Sequence, residues 1–101
     1  MRFNSDSCVV VSDDQVSTSL GEETVILGMG DGAYYGLDAV GARVWSLLAT
    51  PRRVSEVVRA VVVEFDVTPE QCERDVLALL EDLSDRRLVS EVTGGGDAAL
   101  P

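Results

Sequence analysis

One hundred and one residues are enough for one domain and leave no room for a second. Eighteen acidic residues against eight basic ones give a formal charge of −10, and every basic residue is an arginine; such a chain is a poor partner for phosphate backbones and anionic membrane surfaces. Histidine is missing altogether, which removes the Ser-His and Cys-His dyads and the usual nitrogen ligands of zinc.

Apolar residues make up 46% of the chain and fall in periodic blocks. No block approaches the ~20 consecutive apolar residues that a membrane span needs. The start, Met-Arg-Phe-Asn-Ser-Asp, lacks the basic-then-apolar layout of a signal peptide, so a soluble, cytoplasmic protein is expected. Cys8 and Cys72 lie far apart and match no metal spacing. Both sit in apolar-periodic segments and read as small core residues with reduced thiols. Neither a metal nor a cofactor is expected.

The first elements are strands. Residues 8–12 (CVVVS) form a β-rich run, and Asp13-Asp14 reads as a turn. Gln15 to Leu20 is a second, weaker strand, broken by Gly21-Glu22, and Glu23 to Gly28 is a third. Asp31-Gly32 precedes Ala33-Tyr34-Tyr35-Gly36-Leu37. An Asp-Gly pair between two β-rich runs is a hairpin signal, because Gly accepts the positive φ of a tight turn.

The hydrophobic period then changes from two to 3.6. Asp38 caps a first helix with apolar positions Val40, Val44, Trp45, Leu47 and Leu48, ended by Thr50-Pro51. A second helix carries Val54, Val57, Val58, Val61, Val62 and Phe65 on one stripe. Valine is roughly 0.6 kcal/mol worse than alanine as a helix former, so tertiary packing must hold this helix. The third helix opens on Thr68 as N-cap and Pro69 at N1, with Gln71 completing a T-x-x-Q capping box. Its stripe is Cys72, Val76, Leu79, Leu80 and Leu83, running to Arg86-Arg87. Leu88 to Val92 adds a short final strand, and Thr93 to Pro101 (TGGGDAALP) reads as a disordered tail after a single domain over 1–92.

The expected fold is therefore α+β and winged-helix-like: an N-terminal antiparallel sheet of three or four strands over about 8–37, then three helices over 38–87.

Several segments in this order resemble the PqqD-like family of RiPP recognition elements, small domains that bind leader peptides. They are the hairpin ending Gly32-x-Tyr34-Tyr35-x-Leu37-Asp38, then Gly41-Ala42-x-Val44-Trp45-x-Leu47-Leu48, the valine helix ending Glu64-Phe65-Asp66-Val67, the stretch Asp75 to Leu83 (DVLALLEDL), and Leu88-Val89. The Tyr-Tyr-Gly-Leu strand looks most like the stand-alone domain of lasso-peptide systems, with the PQQ-cofactor member ranked second. The resemblance implies a non-catalytic partner for the leader region of a precursor peptide. A separate leader protease, with or without a cyclase, would act on that peptide. It also implies that the peptide adds as a strand beside Ala33, Tyr34, Tyr35, Gly36 and Leu37 and lies against the third helix.

An edge strand presents unpaired N–H and C=O groups that an extended peptide can satisfy. About four such bonds at ~1 kcal/mol each do not offset the association entropy, so peptide side chains must enter apolar pockets. Tyr34 or Tyr35, whichever faces the helix, supplies one wall, since neighbouring strand residues point to opposite faces. On a helical wheel Asp75, Ala78, Leu79, Asp82 and Arg86 share one flank of the third helix. That flank is the expected second wall, with Ala78 leaving room and Asp75, Asp82 and Arg86 able to bond polar tips. The opposite flank, with Glu73, Leu77 and Ser84, is the alternative. A winged-helix regulatory module is a competing class, disfavoured by the charge, and Trp45 and the paired aspartates read as core and turn residues.

Overall fold

The computed structural model describes residues 3–12, 15–21, 23–28 and 34–92. Four strands precede the helices, and two short strands are set among and after them: β1 (Cys8–Val11), β2 (Gln15–Leu20), β3 (Glu23–Gly28), β4 (Tyr34–Leu37), α1 (Ala39–Leu47), β5 (Arg52–Arg53), α2 (Val54–Glu64), α3 (Pro69–Asp85) and β6 (Val89–Glu91). The β5 strand, two residues between helices, carries no strand signal of its own. The expected turns at Asp13-Asp14 and Asp31-Gly32, and the segment 93–101, lie outside the described residues. No described helix is long and apolar enough to cross a membrane.

The strands form two antiparallel sheets, in the orders β2-β3-β4 and β5-β1-β6. The N-terminal sheet thus has three strands, because β1 leaves it to become the centre of the second. There Val9, fully buried, stands opposite Arg52 on one side and Glu91 on the other. The N-terminal stretch also completes two helix ends. Val54 and Ser55, at the start of α2, donate their N–H groups to the carbonyls of Ser7 and Ser5 at 2.9 and 3.0 Å. Val11 N–H reaches the carbonyl of Leu48, just past α1, at 2.9 Å. Helix termini carry backbone groups with no partner inside the helix, so these contacts satisfy groups that burial would otherwise penalise.

Local signals explain the helix starts. Asp38 Oδ1 accepts the Gly41 N–H at 2.9 Å, capping α1 where the hydrophobic period changes. Thr68 Oγ1 accepts the Gln71 N–H at 3.3 Å. The expected capping box is only half made, because the Gln71 side chain turns forward to Asp75 Oδ1 at 2.9 Å. In this rotamer its NH2 group donates a charge-assisted bond to the carboxylate one turn ahead, in place of its oxygen returning to accept from the Thr68 N–H. At α2 the reciprocal half alone appears, with Arg53 N–H on Glu56 Oε1 at 3.0 Å.

One core joins the three helices with β1, β3, β4 and β6. Val54, Val57, Val58 and Val61 of α2 face Cys72, Val76, Leu80 and Leu83 of α3, while α1 adds Val44 and Trp45 and the N-terminal sheet adds Ile26 and Leu37. The valine-rich helix is held by this burial rather than by its own propensity. Leu77, the unexpected apolar residue on the far flank of α3, also packs against the core.

Candidate functional site

β4 is an edge strand: it pairs with β3 on one side, and no described strand pairs with the other. Its register sets Leu37 opposite Thr24, Gly36 opposite Val25, Tyr35 opposite Ile26 and Tyr34 opposite Leu27. Ile26, Thr24 and Leu37 are buried, so Tyr35 belongs to the inner face. Tyr34 falls on the outer face, 74% exposed.

Tyr35 reaches α3. Its hydroxyl donates to Asp82 Oδ2 at 2.6 Å, and the Arg86 guanidinium lies over its ring, 4.9 Å from the centroid. Arg86 Nε is 3.5 Å from Asp82 Oδ1, one turn away on the helix. Burial, then the hydrogen bond to Asp82 and the charge of that carboxylate, push the Tyr35 phenol from 10.0 up to about 12, against a smaller opposing pull from Arg86. The three side chains fix the distance between strand and helix at this end.

Beyond them, β4, the start of α1 and α3 enclose an open cleft of about 500 Å³. Its floor is apolar, made by the buried Leu37, Val44, Val61, Cys72 and Val76. Leu79 and Val67 form the rim, with Asp38 and Asp75 as its charged members. The Cys72 thiol is held up by burial and, to a smaller degree, by the Asp75 charge. Its sulfur lies 3.9 Å from the Val58 carbonyl, as a core residue rather than a nucleophile.

The structure therefore gathers most residues singled out in the sequence. Tyr35, Gly36, Leu37, Asp75 and Leu79 line the cleft, and Asp82 and Arg86 close one end on Tyr35. Ala78 is exposed on the same side of α3 but is not among the lining residues. Tyr34 points away, and Ala33 lies outside the described residues. Sequence reasoning took Asp38 as a cap and as the end of the hairpin motif, and Val67 only as part of a motif. Val67 sits just before the Thr68-Pro69 helix start and lines the cleft together with Leu37 and Asp38, and no periodicity signals that. A second, more open hollow of about 710 Å³ lies between β2 and α1 and is bordered by the Arg43–Glu64 ion pair at 2.8 Å.

A strand edge that no described strand pairs with, beside an apolar, helix-walled cleft, is the distinguishing feature of this small α+β domain. The chain belongs to the PqqD family: the model described as coenzyme PQQ synthesis protein D (PqqD) matches residues 23–89, which include both walls of the cleft. A solved structure of TbiB1 in complex with the TbiA(beta) leader peptide is 40% identical in sequence, with a TM-score of 0.74 over 80% of this chain and 94% of that one. A lasso peptide synthetase B1 complexed with the leader peptide, 20% identical, shares the fold with a TM-score of 0.72 over 81% of this chain and 96% of the other. No curated protein matches the chain significantly.

Proposed function

We propose that this chain binds the leader segment of a ribosomally made precursor peptide, of the lasso-peptide class, and presents it to a separate enzyme. The observation that carries the reading is the edge of β4, unpaired by any described strand, lying beside the Leu37–Val76–Leu79 cleft. A relative 40% identical was solved with a leader peptide, which supports placing a peptide here. The leader adds as a strand to β4. Main-chain bonds set its direction, and its side chains on the inner face enter the cleft, where burial of one large apolar group contributes about 1.5–3 kcal/mol. Tyr35, Leu37, Asp75, Leu79, Asp82 and Arg86 form the walls.

The chain itself does no chemistry. With neither His nor Lys in the sequence, peptide cleavage falls to a partner protease in the cytoplasm, and ring closure to a cyclase. A second reading follows from the family description, coenzyme PQQ synthesis: the same groove would then hold the PQQ precursor peptide.

Fluorescence polarisation with a labelled TbiA(beta) leader peptide, a PQQ precursor peptide and a scrambled control separates these readings. Saturable binding of the first, on the order of micromolar or tighter, and its loss in Leu79→Arg, is the expected result. Tighter binding of the second would select the PQQ reading, and equal response to the scramble would remove both.

A further inference from the structure

The charges of the cleft are arranged unevenly along its length. At the Tyr35 end, Arg86 lies over the ring and pairs with Asp82. At the other end stand two carboxylates, Asp38 where β4 passes into α1 and Asp75 on α3, and the lining residues include no Arg to balance them. Each carboxylate has one oxygen engaged, Asp38 Oδ1 by the Gly41 N–H at 2.9 Å and Asp75 Oδ1 by Gln71 Nε2 at 2.9 Å. The second oxygen of each makes no hydrogen bond or ion pair to a described residue. Between them the floor is the apolar Leu37 and Val76, so a charge placed there is less screened than on an open surface.

Resting on the leader-binding reading, we infer that this groove selects a peptide carrying a Lys or Arg at the Asp38–Asp75 end, two positions from an apolar anchor. The spacing follows from two repeats. Asp75 and Leu79 are four residues apart on a helix that rises 1.5 Å per residue, about 6 Å in all. Side chains on one face of an extended peptide recur every second residue, about 6.6 Å. A strand that seats an apolar side chain against Leu79 and the floor therefore delivers its next inward side chain to Asp75. A cation there forms charge-assisted bonds with the two free oxygens. The same cation placed at the opposite end meets a carboxylate already engaged by Arg86 and the Tyr35 hydroxyl, so the charge pattern also favours one register of the peptide along β4.

The test is a selection from a random-peptide mRNA-display library on three immobilised baits: the wild-type chain, Asp75→Lys and Leu79→Arg. Asp75 is exposed and its side chain bonds only Gln71 among the described residues, and thermal melts check that each bait is folded, with Asp75→Asn as a milder substitute. The wild type should enrich peptides with an apolar and a basic residue two positions apart. Asp75→Lys should lose the basic preference while keeping the apolar one, and Leu79→Arg should enrich neither. In a chosen synthetic peptide, Lys→Glu should weaken binding to the wild type about tenfold and be restored by Asp75→Lys. Identical, charge-indifferent peptides from wild type and Asp75→Lys would overturn the inference and leave leader binding standing. Failure of the wild type to enrich any peptide over bare support would overturn leader binding itself.

Discussion

The Tyr35 hydroxyl and the Asp82 carboxylate meet at 2.6 Å across 47 residues of chain, tying the edge strand to the third helix. Neither residue is fully buried, and Arg86 caps the pair by stacking on the ring. The ion pair between Asp82 and Arg86 is half exposed and long at 3.5 Å, so it contributes at most ~1 kcal/mol by itself. Its effect is to hold both partners where Tyr35 needs them.

Titration of the phenol tests this link. Tyr35 should ionise at about 12 in the folded chain, followed by tyrosinate absorbance. Because the folded value lies above the ordinary 10.0, the contribution of Tyr35 to stability is fully present below pH 10. It is then lost as pH rises from 10 towards 12. Asp82→Asn removes the carboxylate charge and leaves at most a weaker, neutral acceptor for the hydroxyl, while the largest cause, burial, stays. The Tyr35 transition should therefore move part of the way back towards 10.0, and an unmoved transition would mean that the bond to Asp82 is absent in solution.

The two adjacent tyrosines should behave differently. Tyr35→Ala removes the end wall and leaves Asp82 without its donor, and should weaken leader binding at least tenfold, a loss of ~1.4 kcal/mol or more. Tyr34→Ala, on the outward and exposed side of the sheet, should change affinity by no more than about twofold. Equal losses, measured by fluorescence polarisation on folded variants, would place the peptide on the outer face.

Arg87 offers a stabilising change. It has φ 61° immediately after α3, with its N–H on the Ser84 carbonyl at 3.0 Å and the Leu88 N–H on Leu83 at 2.9 Å. This is the Schellman arrangement, with the buried Leu83 and Leu88 as its hydrophobic contact. Only glycine adopts that backbone without strain, so Arg87→Gly should raise stability by about 0.5–1 kcal/mol in urea denaturation.

Two glycines near the cleft should respond in opposite ways. A Cβ at Gly36 meets nothing within 4 Å, and valine suits a strand better, so Gly36→Val should stabilise by roughly 0.5 kcal/mol. A Cβ at Gly41 would stand 3.1 Å from Leu37 Cδ2 and 3.3 Å from Asp38 Oδ1. Leu37 is buried and must shift its Cδ2 by a few tenths of an ångström out of its packed position to admit the methyl, so Gly41→Ala should destabilise by about 1 kcal/mol despite alanine's higher helix propensity. A higher melting temperature for Gly41→Ala would show that Leu37 repacks freely.

The sequence by itself determined the order of elements apart from β5, the change of period at Asp38 and the Thr68-Pro69 helix start, and it grouped Asp75, Leu79, Asp82 and Arg86 on one flank of α3. Those features depend on residues within a few positions of each other, where capping chemistry and side-chain periodicity act directly. Tertiary structure alone decided that β1 leaves the N-terminal sheet to lie between β5 and β6, since pairing Val9 with Arg52 and Glu91 joins segments far apart in sequence. It also decided which tyrosine turns inward. Alternation places Tyr34 and Tyr35 on opposite faces but cannot say which face is the core. That choice is made by register, where Tyr35 stands opposite the fully buried Ile26, and a slip of one residue would have exchanged the two.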